Sequence, residues 1–348
     1  MDHSLVVNAV GSLGKIFTKH QESTLRRNDL AFAYLLLFSS IALAPPADAE
    51  RVPIVLLTDC GVETDDQWAL VHLALSPRLH LRCVITSHSP TLKAPASAVT
   101  AKVARQVLGV LPSARTEGIE VVAGASRPLP SAASQPRPAG PGARTLIRLA
   151  REYSPQHPLT VVLIGPATDL AEALLADPDL ARRLRVVAMA FEDWPNGGDP
   201  WNVQHDPAAW DLLLRSEVPL VLGSGAIGRR DLRLDLDEVD RRFRPLGKGG
   251  AELATHFDRW LQRGGPIAEQ ETGSKRAWIL WDQVTTAYLL GYARSEPRPR
   301  PRLGEGLRFD HGQSQGMLEW ITEVQSQRLW SDLETQLRSI PITKSPSQ

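Results

Sequence analysis

The chain has 348 residues, enough to bury a substantial core in one large domain or two ordinary ones. Its 39 basic and 39 acidic residues balance, so no net charge draws it to nucleic acid or to an anionic membrane. Cys60 and Cys83 are the only cysteines, and their spacing is that of neither a CxxC nor a metal finger, so both read as buried thiols.

Residues 1–49 read as a targeting segment, with residues 50–348 as the folded domain. Arg26 and Arg27 precede an apolar stretch from Leu30 to Ala44, and Ala47-Asp48-Ala49 fits a small-residue cleavage site. The stretch falls short of the roughly 20 apolar residues of a comfortable membrane span. Export to the periplasm or the extracellular space is the expectation. The alternative, an uncleaved N-terminal anchor, is the chain's one evident route to a membrane.

From residue 52 strand-like and helix-like patterns alternate. "VPIVLLTD" (52–59) predicts a strand and "DDQWALVHLALS" a helix. "LRCVITS" (81–87) is a second strand, "ASAVTAKVARQVLGVL" a helix and "IEVVAGA" (119–125) a third strand. "GARTLIRLAREY" (142–153), "LTVVLIGP" (159–166), "TDLAEALLADPDLARRL", "RVVAMAF" (185–191), "PAAWDLLLRS" and "VPLVLGS" continue the alternation. Short apolar runs separated by amphipathic helices predict an α/β fold, a mostly parallel central sheet covered by helices on both faces. In such sheets ligands bind beyond the carboxyl ends of the strands. The Pro/Gly-rich stretches 128–142 and 295–306 read as surface loops.

The first strand ends in "TDCGVETDD", where Asp59, Glu63, Asp65 and Asp66 gather with no basic residue among them. Carboxylates at a strand end, beside a turn containing Gly61, suit a hard cation such as Ca²⁺, which takes six to eight oxygen ligands. The competing reading is a helix N-terminus, which favours acids without any metal.

This stretch resembles the D-x-D-P-G-x-D-D signature of the inosine–uridine-preferring nucleoside hydrolases. Asp59-Cys60-Gly61 keeps one acid–x–Gly step, two extra residues precede Asp65-Asp66, and the first acid of the pattern falls on Leu57. "EVVAGASRPLP" (120–130), "VVLIGPATDLAEALLADPDLARRL" (161–184), "DPWNVQHDPAAWDLLLRSEVPLVL" (199–222) and "AWILWDQVTTAYLL" (277–290) follow in the family's order. The resemblance spans roughly residues 52–292 and implies a nucleoside hydrolase-like domain with a Rossmann-like core.

It further implies a calcium-dependent hydrolysis of the N-glycosidic bond of a ribonucleoside or related ribosyl compound. Asp59, Asp66, Asp282 and the backbone carbonyl of Thr168 would hold one Ca²⁺. Asp59 would double as general base to a water whose pKa the cation lowers. Asp65 and Asn202 would bind ribose hydroxyls, with Asn196 standing for an earlier ribose-binding asparagine. Relatives form dimers or tetramers, so a homo-oligomer is also implied. The bland readings are that Asp282 and Thr168 cap helices and that Asn202 is a turn residue.

Several positions depart from the family pattern. Trp281 replaces a histidine assigned to leaving-group work, and it would either stack on a ring or pack in the core. Pro200 replaces an acid, with Asp199 one residue away, and Asp169 replaces an asparagine. Ser87, His88 and Ser89 stand where relatives have Gly-Asn. An alternative is a non-catalytic or altered-specificity ribosyl-binding protein that retains the metal. A haloacid-dehalogenase-like phosphatase would need Asp-x-Asp, and Gly61 occupies the second acid's place.

Overall fold

The computed structural model describes residues 51–89, 91–93, 95–130, 138–199 and 201–340. The targeting segment and Pro200 lie outside the described residues. The first half runs β1 (Val52–Thr58), α1 (Asp65–Leu75), β2 (Leu79–Thr86), α2 (Ala96–Gly109), α3 (Ser113–Thr116), β3 (Glu120–Ala123), α4 (Pro141–Ala150) and β4 (Leu159–Leu163). There follow α5 (Thr168–Ala176), β5 (Leu184–Met189), α6 (Asn202–His205), α7 (Pro207–Arg215), β6 (Leu220–Gly223), α8 (Gly225–Asp231), β7 (Arg233–Asp235) and α9 (Leu236–Arg242). The chain continues through α10 (Gly247–Thr272), β8 (Ala277–Ile279), α11 (Gln283–Leu289), β9 (Ala293–Pro299), β10 (Arg302–Leu303), β11 (Phe309–Asp310), β12 (Met317–Val324) and α12 (Ser326–Arg338).

Eight strands form the central sheet in the order β3-β2-β1-β4-β5-β6-β12-β9. Every pair is parallel except the last, β12 with β9, so the expected mostly parallel sheet is what the chain builds. β1, β4, β5 and β6 read as near-continuous apolar runs because both faces are covered. Ile54 and Leu56 of β1 enter one core with Trp68, Phe257 and Trp330, while Val55 and Leu57 enter the other with Leu146, Leu170 and Trp210. That alternation is the period-2 side-chain geometry of a strand buried on two sides. Trp68 of α1 sits edge-on to Phe243, with ring centroids 4.8 Å apart, and the arrangement fixes α1 against α9. Cys60 and Cys83 are free and buried, as expected.

The stretch 295–306 is not the surface loop its prolines implied. It supplies β9, antiparallel to β12 with Pro297 opposite Glu319 and Pro299 opposite Met317. β9 is the sheet's edge, and proline is tolerated on an edge strand because its missing N–H can face outward. Among the described residues no helix is long and apolar enough to cross a membrane.

β1 has β2 on one side and β4 on the other, with Leu57 in register with Ile85 and with Leu163. The chain therefore winds outward in both directions from β1 and β4. A crevice opens beyond the carboxyl ends of strands at such a reversal, and ligand sites collect there. Asp59 follows β1 directly and Ile164 follows β4 directly.

Candidate metal centre and active site

A cavity of about 590 Å³ occupies this crevice. Its floor is the turn between β1 and α1, which contributes Asp59, Gly61, Val62, Glu63, Asp65 and Asp66. Gly61 has φ +104°, a conformation that side-chain-bearing residues rarely adopt, and Val103 of α2 fills the space where a Cβ would stand. Arg263 of α10 donates to the Val62 carbonyl at 2.9 Å, tying the turn to the helix above it. Gly165 lets β4 close on β1: a Cβ there would lie 2.8 Å from the Asp59 amide nitrogen.

Asp65, Asp66 and Asp282 are buried, and one carboxylate oxygen from each lies within 4.8 Å of the others. Asp282 comes from the junction of β8 and α11, so a contact across more than two hundred residues assembles the set. Asp59 stands outside that trio; the Asp66 and Asp65 charges act on it, and its own charge acts on Asp282. Its Oδ2 is buried with no hydrogen-bond partner. Thr58 Oγ1 donates to Asp66, and this bond opposes the effect of burial.

Burial pushes Asp65 up to about 8, with the Asp66 charge adding to it, and pushes Asp66 up to about 7. Burial, then the neighbouring carboxylates, hold Asp59 and Asp282 well above the usual carboxylate range. A buried cluster of this kind must take up protons or a cation. Oxygen-only donors at this mutual spacing suit a hard divalent ion. The orphaned Asp59 Oδ2 adds a lone pair with no protein donor to satisfy it.

Of the residues expected from sequence, Asp59, Asp65, Asp66, Asn202, Trp281 and Asp282 all line this one cavity. Asn202 is buried, its Nδ2 donating to the Met189 carbonyl at 3.0 Å and more weakly to Ile164 at 3.4 Å. Its Oδ1 is buried and unpartnered, an acceptor held in place. Two expectations fail on placement. Thr168 does not line the cavity; its hydroxyl donates to Asp206 at 2.5 Å and meets His88 Nε2 at 3.0 Å. Ile164, the residue that follows β4, does line the cavity, and Thr168 lies four residues beyond it. Asn196 is exposed, bonds Asp193 at 3.2 Å and takes no part in the cavity wall.

Other members of the wall were not foreseen. Arg229 of α8 is clamped between Glu192 at 2.6 Å and Glu271 at 2.9 Å, and its guanidinium lies 5.5 Å from the Trp281 ring centroid. Trp281 is half-buried and immobilised, its indole N–H donating to the Gly225 carbonyl at 3.2 Å. Gly228 leaves room for that ring, since a Cβ there would meet it at 2.1 Å. Trp278 stands edge-on to Trp281 and Trp260 beyond it completes an indole wall. Asp199 also lines the cavity; it accepts from the amides of Phe191 and Val203 at 3.1 and 3.3 Å, and burial pushes it up to about 6. Asp169 serves the scaffold, accepting from the Ala125 amide at 2.9 Å. His88 lies in a second, neighbouring cavity.

The profile of the inosine-uridine preferring nucleoside hydrolase family matches residues 54–335. The chain belongs to this family. It is therefore a hydrolase of N-glycosyl bonds. It is 27% identical over 271 residues to the pyrimidine-specific ribonucleoside hydrolase RihA of an Enterobacter species, covering 68% of this chain and 81% of the relative. The RihA of Salmonella paratyphi B is 26% identical over 273 residues, with the same coverage of both chains. Among solved structures, a plant nucleoside hydrolase superposes with a TM-score of 0.65 at 17% identity, covering 83% of this chain and all of that one. A purine-preferring ribonucleoside hydrolase of Gardnerella vaginalis gives 0.63 at 17% identity, covering 82% and 98%. At that identity the two structures speak for the fold.

Proposed function

We propose that this nucleoside hydrolase family member cleaves the N-glycosidic bond of a ribonucleoside or related riboside with Ca²⁺ as its cation and Asp59 as its base. The observation that carries the reading is the buried, unpartnered Asp59 Oδ2 beside the Asp65–Asp66–Asp282 set. Asp66, Asp282 and the Ile164 carbonyl would hold the ion alongside Asp59, and Asp65 would accept a ribose hydroxyl. When bound, the ion supplies charge neutralisation and a lowered pKa for water.

The remaining chemistry belongs to the chain's own groups. Asp59 Oδ2 takes the proton from the water that attacks the anomeric carbon. Asn202 Oδ1, fixed by two carbonyl contacts on its amide nitrogen, accepts a second ribose hydroxyl. Positive charge that develops on the ribosyl ring as the bond breaks is stabilised by the surrounding carboxylates. The indole wall of Trp260, Trp278 and Trp281 excludes water from the leaving-group end. An exported protein, as the N-terminal leader implies, would meet Ca²⁺ in abundance.

The test is Asp59→Asn in the full-length protein. Loss of a general base costs about 10²- to 10⁴-fold in turnover. The variant should lose at least about 100-fold in kcat for ribose release. Turnover within threefold of the parent would refute the assignment of the base.

A further inference from the structure

We infer that buried His72 and Gln283 form a brace between α1 and α11 that sets Asp282 in place against Asp65 and Asp66, which makes both of them positioning residues for the cation. The inference rests on the cation reading above and extends it to two side chains outside the cavity wall.

The acids that must converge come from two helices. Asp65 and Asp66 open α1, while Asp282 immediately precedes α11, which packs on α1. Asp282 holds the N-cap position of α11 but makes no cap hydrogen bond, so its own helix does not tie its carboxylate down. Its spacing to the other two acids therefore depends on how α11 is held against α1. A calcium ion takes its oxygen ligands at about 2.3–2.6 Å, so a slide of one helix along the other would be felt at the ion.

The contact that holds the helices together here is polar. His72 lies seven residues after Asp65, about two turns along the same face of α1. Its Nδ1 meets Gln283 Oε1 at 3.1 Å, and Gln283 is the residue next to Asp282. On the other side of the ring, His72 Nε2 donates to Asp332 of α12 at 2.9 Å. A carboxylate can only accept, so Asp332 fixes how the ring is turned and keeps Nδ1 toward Gln283. Asp332 is held in turn by the Tyr292 hydroxyl at 3.0 Å. α12 thus anchors the imidazole, the imidazole holds the Gln283 side chain, and Gln283 carries the backbone of Asp282.

Both side chains are fully buried, and Gln283 Nε2 has no partner there. An unpaired buried donor is a cost that an apolar pair of the same volume would avoid. A pair kept for stability alone would be better served by leucine or methionine. A hydrogen bond has a preferred length and angle where apolar contact has neither, and that is what a brace requires.

The experiment is calcium titration calorimetry on the full-length protein and on Gln283→Met, with urea unfolding of each in EGTA. Methionine keeps the side-chain volume and removes the hydrogen bond. Loss of a group that orients a metal ligand typically costs about 10- to 100-fold in affinity, so Gln283→Met should weaken calcium at least about tenfold. Its urea midpoint in EGTA should stay within about 0.5 M of the parent, since one unpaired buried atom is exchanged for another. Its kcat at saturating calcium should stay within about threefold of the parent, because the ion, once bound, restores the spacing. His72→Phe should weaken calcium by a similar factor, and the double variant no more than the worse of the two, because either change breaks the same contact. Additive losses would overturn the inference. A calcium affinity of Gln283→Met within about threefold of the parent would overturn it while leaving the cation reading intact. A loss of affinity seen only together with a lowered urea midpoint would do the same. A parent protein that binds no calcium would overturn both.

Discussion

Stripping the divalent ion should make this protein less stable at pH 8 than at pH 5, the reverse of the usual behaviour of surface carboxylates. Asp66 is held at about 7 in the fold against an ordinary 3.8, chiefly by burial. A carboxyl whose folded pKa is raised gives its full stability below the unfolded value and loses it as the pH climbs through the folded value. For Asp66 that window runs from about 4 to about 7. By pH 8 the loss from this one group is about 4 kcal/mol at 1.36 kcal/mol per unit. Asp65, pushed to about 8, extends the window upward, and the two share the penalty because each charge raises the other's cost. A loss of this size lowers the Tm of a domain this large by on the order of 10 °C.

The assay is differential scanning fluorimetry of the full-length protein in EGTA at pH 5 and pH 8, then with Ca²⁺ in excess. Calcium should raise the Tm far more at pH 8, since its ligands must be ionised to bind. Asp66→Asn should flatten the pH dependence in EGTA. An EGTA-treated protein as stable at pH 8 as at pH 5, with no calcium-dependent rise, would refute the reasoning.

Gly165→Ala places a methyl 2.8 Å from the Asp59 amide, so the strand end must shift; calcium affinity by isothermal titration calorimetry should fall at least tenfold. Far from the site, Asp332 accepts from fully buried His72 at 2.9 Å and from Tyr292 at 3.0 Å. Asp332→Ala leaves both donors unpaired and should cost about 1–3 kcal/mol in urea unfolding. Burial raises the Asp332 carboxyl, but the contacts with His72 and Tyr292 and the Arg78 charge together outweigh it, so its folded pKa is depressed. The contribution is present above the ordinary value near 4 and fades below it, and the variant should therefore match the parent more closely at pH 3 than at pH 7.

The sheet was legible because strands buried on both faces announce themselves as apolar runs, and β1, β4, β5 and β6 follow that pattern. The acids were legible for a different reason: Asp59, Asp65 and Asp66 crowd one strand end, and such crowding needs a cause. What escaped notice has no side-chain signature or is spread across the chain. A main-chain carbonyl such as that of Ile164 is set by where β4 ends, and Thr168 lies four residues further along. Arg229, Glu192 and Glu271 come from α8, the loop after β5, and α10, so no window of sequence holds them together. Asn196 looked right in order, but the turn at 193–197 carries it to the surface. β9 hid behind its prolines, which an edge strand accommodates and an internal one would not.

The most direct test of the account is ribose release measured by a reducing-sugar assay on a panel of ribonucleosides that includes uridine and inosine, in EGTA and then across a calcium titration. The account predicts no release in EGTA, recovery that saturates with calcium, and no recovery by Asp59→Asn at any calcium concentration. Ribose release that proceeds equally in EGTA, or that survives in Asp59→Asn, would contradict it.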